Sequence, residues 1–248
     1  MDNSHVKALV TGASRGIGKS ITQKLLESGA QVIGTAVKSK FGDPVFENEL
    51  FTGLHIDLSD RKSLQEVIKP IFEGSDFPNV VINNAGISED VTFNDNDLDW
   101  EDNWNRTIMI NLTAPSLISK WAINHWMKQS VDGILINVAS RAAYRGDTEQ
   151  FASYAASKGG LVSFTKTVAR AFGKDNIAAY SIAPGFIDTD MAKELTPVYG
   201  KEYLMKGIVL SEITPPEEVG ELVSWLASGK VKHLTGSTFH INGGSYMI

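Results

Sequence analysis

The 248-residue chain contains no cysteine. That absence excludes disulfides, thiolate metal ligands and cysteine nucleophiles, and it suits a reducing compartment. Positive charge is also short: 23 basic residues face 29 acidic ones, a formal net charge of −6, which argues against a general binder of nucleic acid. No run is apolar for long enough to span a bilayer. Met1-Asp2-Asn3-Ser4-His5 lacks the basic segment and apolar core of a secretory signal. The five histidines are scattered and no metal site is indicated. The expectation is a cytoplasmic protein without a nucleic-acid or membrane partner.

What is present is an ordinary globular composition, 42% hydrophobic and 21% charged, enough to fill the core of one α/β domain. Short apolar runs at 6–10, 31–35, 54–56, 80–82, 134–138, 178–182 and 238–241 alternate with amphipathic helical stretches. That alternation predicts a Rossmann-type, doubly wound parallel sheet of about seven strands with helices on both faces. No repeat, low-complexity tract or linker divides the chain, so residues 1–248 read as a single domain. The longest irregular stretches, 87–96, 141–150 and 184–203, follow strands, where open α/β sheets place their ligands.

The first run leads into Thr11-Gly12-Ala13-Ser14-Arg15-Gly16-Ile17-Gly18. Ile17, Ile21, Leu25 and Leu26 then recur at helical spacing up to Ser28-Gly29, a helix stop, and a second strand follows. Glycines at 12, 16 and 18 let the backbone turn tightly and approach a pyrophosphate at the helix N-terminus. Gly12 to Gly16 also satisfies the G-x-S-x-G pattern of a serine hydrolase elbow. That reading fails, because the motif follows the first strand and no histidine stands in a triad context.

Tyr154 and Lys158 lie four residues apart, on one face of a helix. An ammonium one turn from a phenol stabilises the phenolate and brings its proton exchange toward neutral pH. Such a pair can exchange a proton with an alcohol or a ketone. Pro115 stands four residues after Asn111, and it has no N–H to return to the Asn111 carbonyl. A helix through both leaves that carbonyl free to bind water.

Together with Asn83-Asn84-Ala85-Gly86, Asn111, Ser140, Pro184-Gly185 and Asn242-Gly243-Gly244, these motifs make the chain resemble the short-chain dehydrogenase/reductase family. The resemblance implies that Tyr154 transfers a proton to or from the substrate oxygen, Ser140 hydrogen-bonds that oxygen, Lys158 tunes Tyr154 and holds the nicotinamide ribose, and Asn111 completes a water relay. It places Gly12, Ser14, Arg15, Gly16, Ile17 and Gly18 on the cofactor phosphates. Asp57 and Leu58 would lie beside the adenine. Asn83, Ala85 and Gly86 would line the cofactor, as would Pro184 and Gly185, and Ile187 and Thr189 after them would meet the carboxamide.

The second strand ends Thr35-Ala36-Val37-Lys38 without an acid. A missing acid, with Arg15 and Lys38 nearby, favours NADP(H) over NAD(H). The ending His240-Ile241-Asn242-Gly243-Gly244 resembles the 3-oxoacyl-acyl-carrier-protein reductases of fatty acid synthesis. That resemblance implies an acyl-thioester substrate, an acyl carrier protein as partner and a homotetramer. The loop from Ser140 to Tyr154, however, is one residue longer than usual in those reductases. It carries Arg141 and Arg145, which leaves open a small anionic or polyhydroxylated keto substrate, or else ion pairs of both arginines with Asp147, Glu149 or a neighbouring subunit. A catalytically silent NADP(H) sensor is disfavoured, because such proteins typically lack the tyrosine or the lysine. A lid is expected over 188–207.

Overall fold

A computed structural model describes residues 1–37, 41–189 and 200–248. Seven strands form one parallel sheet in the order β3-β2-β1-β4-β5-β6-β7. They are β1 (Lys7–Val10), β2 (Gln31–Ala36), β3 (Phe51–His55), β4 (Val80–Asn83), β5 (Gly133–Val138), β6 (Ile177–Pro184) and β7 (Thr238–Ile241). All seven apolar runs become strands. The third sits earlier than its apolar signal, because pairing to β2 starts at Phe51 opposite Val32 and the exposed Thr52 and Gly53 dilute the pattern.

Side-chain alternation along the strands fills two cores. Ala8 and Val10 of β1 face one side with Ile134, Ile136, Tyr180 and Ile182. Helices α1 (Gly16–Glu27) and α5 (Pro216–Ala227) cover that side with Ile21, Leu25, Val219 and Val223. Leu9, Val81, Leu135 and Ala179 face the opposite side. There they meet α3 (Ala114–Gln129), α4 (Ala152–Phe172) and the irregular helical stretch Arg61–Ser63, Leu64–Ile68 and Lys69–Phe72. Each fully buried aliphatic side chain contributes about 1.5–3 kcal/mol, so neither helical layer detaches cheaply. Trp126, at 0% exposure, anchors the second layer and donates its indole N–H to the Pro78 carbonyl at 2.8 Å.

The strand order reverses direction between β1 and β4. At that switch point the loops after the two strands part, and a crevice opens at the carboxyl edge of the sheet. Helix α2 (Asp97–Ile108) continues into α3 through a π-turn, Met109–Thr113, that carries Asn111. The cause lies in the sequence. Ala114 donates its N–H to Met109, one residue out of α register, and Pro115 has no N–H to give to Asn111.

Candidate functional site

One cleft of about 790 Å³ lies along the carboxyl edge, lined by the loops that follow β1, β4, β5 and β6. Its first half is built from backbone. Gly12 and Gly16 hold φ of 67° and 54°, conformations that L side chains rarely adopt. Gly18 has no room for a side chain, because a Cβ there would stand 2.0 Å from the Gly12 carbonyl oxygen. Ser14, Arg15 and Ile17 line the cleft beside them. Helix α1 opens at Gly16 with no side-chain cap and no acid in its first turn, so its leading N–H groups and dipole favour an anion there. The exposed Arg15 guanidinium has no hydrogen-bond or ion-pair partner among the described residues.

This half is held to β4 by two residues that the motif reading did not single out for the role. Thr11 accepts the N–H groups of Asn84 and Ala85 on its hydroxyl at 3.0 and 3.1 Å. The Asn84 amide donates to the carbonyls of Thr11 and Gly12 at 2.9 and 3.2 Å. Asn84 lines the cleft, and Asn83 does not. Asn83 is the last residue of β4 and turns inward, where its amide donates to Asn137 at 2.8 Å and Ser119 at 3.1 Å. Strand alternation is the signal that separates the two: adjacent asparagines point to opposite faces.

Asp57 and Leu58 reach the cleft wall. The Asp57 carboxylate accepts the N–H and hydroxyl of Ser59 at 2.9 and 2.7 Å, which holds it below the usual carboxylate range. Arg106 of α2, absent from the sequence expectation, lines the same wall and is ion-paired with Glu89. Lys38 and residues 190–199 of the expected lid lie outside the described residues.

The second half is built from side chains. Ser140 follows β5, and Tyr154 and Lys158 project from α4 into the cleft. Lys158 is buried and donates to the Val138 carbonyl at 2.8 Å. Its Nζ stands 5.7 Å from the Tyr154 ring centroid. Burial brings the Lys158 ammonium down to about 8. The expected lowering of Tyr154 by Lys158 does not prevail. Burial pushes the phenol up, the Ser140 hydrogen bond opposes it, and the Asp147 carboxylate adds to the rise. Tyr154 therefore stays protonated at neutral pH, ready to act as an acid.

Asn111 is buried behind the cleft, not on its surface. Its amide donates to the Ile87 carbonyl at 2.9 Å and the Ser157 hydroxyl at 3.1 Å, while its oxygen accepts the Ile87 N–H at 2.9 Å. The side chain thus pins the β4 loop to α4, and only the backbone carbonyl, deprived of its α-helical donor by Pro115, remains for a relay. Ala85, Gly86, Pro184, Gly185, Ile187 and Thr189 complete the cleft where its halves meet.

Arg141, expected as an anion reader, lines the cleft, and its guanidinium is already engaged. It is 7% exposed, donates to the Ser245 hydroxyl at 2.6 Å and lies 4.5 Å from the Phe186 ring centroid. That clips the C-terminal segment to the loop after β6. No group of metal-binding side chains occurs among the described residues, and among them no helix is long and apolar enough to cross a membrane.

A family model described as enoyl-(acyl carrier protein) reductase matches residues 12–246. The 3-oxoacyl-[acyl-carrier-protein] reductase of Vibrio harveyi is 36% identical over 246 residues, covering 97% of both chains. The Pseudomonas aeruginosa reductase of the same name is 37% identical over 248 residues, again covering 97% of both. Among solved structures, a 4-hydroxyisoleucine dehydrogenase complexed with NADH superposes with a TM-score of 0.86 at 28% identity, covering 97% of this chain and 98% of that one.

Proposed function

The chain belongs to the short-chain dehydrogenase/reductase family, and we propose that it reduces a 3-oxoacyl thioester with NADPH, as a 3-oxoacyl-acyl-carrier-protein reductase does. At the coarser level it is an NAD(P)-dependent oxidoreductase that interconverts a carbonyl and an alcohol. The observation that carries the finer reading is the convergence of Ser140, Tyr154 and Lys158 in one cleft with the glycine loop, together with near-full-length similarity to the 3-oxoacyl reductases.

The cleft fits a dinucleotide. Gly12, Gly16 and Gly18 give it a side-chain-free floor beside the uncapped start of α1, and Asp57 and Leu58 form the adenine wall. Arg15 favours the 2′-phosphate, which selects NADP(H). Ala85, Gly86, Pro184, Gly185, Ile187 and Thr189 would flank the nicotinamide. When bound, the reduced nicotinamide supplies a hydride to the carbonyl carbon. Tyr154 Oη gives its proton to the carbonyl oxygen, and Ser140 Oγ hydrogen-bonds the same oxygen, stabilising the charge that develops there. Lys158, fixed by Val138, stabilises the resulting phenolate and contacts the ribose. The Asn111 carbonyl holds the water through which Tyr154 regains its proton.

We read residues 1–248 as one domain and the assembly as a homotetramer. Trp100 and Trp104, stacked 5.1 Å apart on α2 and only partly buried, are available to a subunit contact. The test is absorbance at the reduced-nicotinamide band with a 3-oxoacyl thioester. Faster oxidation of NADPH than of NADH is expected; no oxidation of either, by protein that binds the cofactor, overturns the reading.

A further inference from the structure

We infer that the substrate end of this cleft also accepts small ketones bearing a carboxylate beside a hydroxyl or ammonium group, read by Arg145 and Asp147. The inference rests on the cleft being a carbonyl-reducing site and goes beyond the thioester in substrate class, since a 3-oxoacyl thioester has no free carboxylate. Ala142–Arg145 form one helical turn after Ser140. Gly146 ends it at φ 73° and ψ −171°, a region essentially restricted to glycine, with open space where a Cβ would stand. The residues on either side, Arg145 and Asp147, both line the cleft that holds Tyr154.

The two charges are only loosely satisfied by each other. Arg145 Nη2 lies 3.4 Å from Asp147 Oδ1, and that oxygen also accepts the Thr148 N–H at 3.0 Å. The Arg145 side chain is 37% exposed and that of Asp147 16%. Asp147 is close enough to Tyr154 for its charge to act on the phenol. A planar guanidinium pairs bidentately with a carboxylate, and a carboxylate accepts from a hydroxyl or ammonium. Arg141 also lines the cleft, but its guanidinium already donates to Ser245 and packs on Phe186, which leaves Arg145 the more available of the two. An acyl chain needs neither charge. Lining such a chain with a long ion pair and the Thr148 N–H as its only contacts among the described residues carries a desolvation penalty.

The experiment compares 4-oxopentanoate with its methyl ester, and 2-hydroxy- and 2-amino-4-oxopentanoate with the unsubstituted acid, following NADPH oxidation by wild type, Arg145→Met, Arg145→Lys and Asp147→Asn. In wild type the acid should exceed the ester in kcat/KM by about 10- to 100-fold, mainly through KM. Arg145→Met should bring that ratio near one, Arg145→Lys should restore part of it, and Asp147→Asn should remove the preference for the 2-substituted acids. An acid-to-ester ratio near one in wild type, or one unmoved by Arg145→Met, overturns the inference. Thioester turnover is measured alongside. Its presence with an acid-to-ester ratio of one leaves the reductase reading standing and the inference refuted. If no ketone is reduced, the reductase reading fails, and calorimetric titration of 4-oxopentanoate and its ester into the NADPH-loaded protein decides the inference: tighter acid binding lost in Arg145→Met supports it, and equal binding refutes it.

Discussion

The two halves of the cleft are made differently. The half proposed for the cofactor consists of backbone at strand ends and a helix start, braced by Thr11 and Asn84; the half proposed for the substrate consists of side chains presented by α4 and by one loop. Backbone geometry tolerates exchange of neighbouring side chains but not an added Cβ. A side-chain site behaves in the opposite way, since each substitution changes chemistry while the fold persists. Damage to the first half should therefore read out as lost binding, and damage to the second as lost turnover or altered choice of substrate.

The sharpest test of that division is Tyr154→Phe. It keeps the ring and removes the proton donor, so kcat should fall by about 10²–10⁴-fold while NADPH binding, followed by fluorescence, barely changes. Loss of both together would mean that Tyr154 belongs to the cofactor half.

Lys158 stands on the boundary and should show it in stability. Its ammonium titrates at about 8 in the fold, against 10.5 for an ordinary lysine, so between those values the unfolded chain binds more protons than the native one, and stability rises with pH. Tyr154, raised above its usual value by burial, acts the other way only above about pH 10, where its unfolded form begins to ionise. Urea unfolding from pH 7.5 to 10 should show wild type gaining about 2 kcal/mol relative to Lys158→Met. Parallel profiles would place the Lys158 charge in contact with water.

Gly18→Ala probes the backbone half alone. The new Cβ meets the Gly12 carbonyl oxygen at 2.0 Å and the Asn84 amide nitrogen at 2.5 Å, and one of them must move. Strain of about 1–3 kcal/mol should weaken NADPH by roughly 10- to 100-fold and lower Tm, with kcat at saturating cofactor much less affected. A variant with normal affinity would show that the loop has slack.

This difference also explains what could be read from the sequence. Seven strands, the glycine loop and the Ser140, Tyr154 and Lys158 group were legible because each depends on short-range spacing, helical or strand period. Asn83 was misplaced and Asn84 overlooked because their roles turn on which face of β4 each occupies at its last residue. The engagement of Arg141 was not legible, because its partners, Phe186 and Ser245, lie far along the chain. No local pattern announces that clip. Arg106 was missed for the same reason: it reaches the cleft wall of Asp57 and Leu58 from a helix that carries no motif.

The smallest expected effect decides what Arg15 does. It is exposed, without a side-chain partner among the described residues, and sits at the N-cap of α1, so it can serve either the 2′-phosphate or the pyrophosphate. Arg15→Ala separates the two. If Arg15 reads the 2′-phosphate, NADPH should weaken by about 5- to 10-fold, the worth of a partly exposed charge-assisted contact, while NADH is unchanged. If it neutralises the pyrophosphate, both cofactors weaken equally, because both carry that group. Measured Kd values for NADPH and NADH therefore locate the side chain. A fall shared by both would move the basis of NADPH preference away from the glycine loop, and the division between a backbone-built and a side-chain-built half would then hold at the phosphates but not at the ribose.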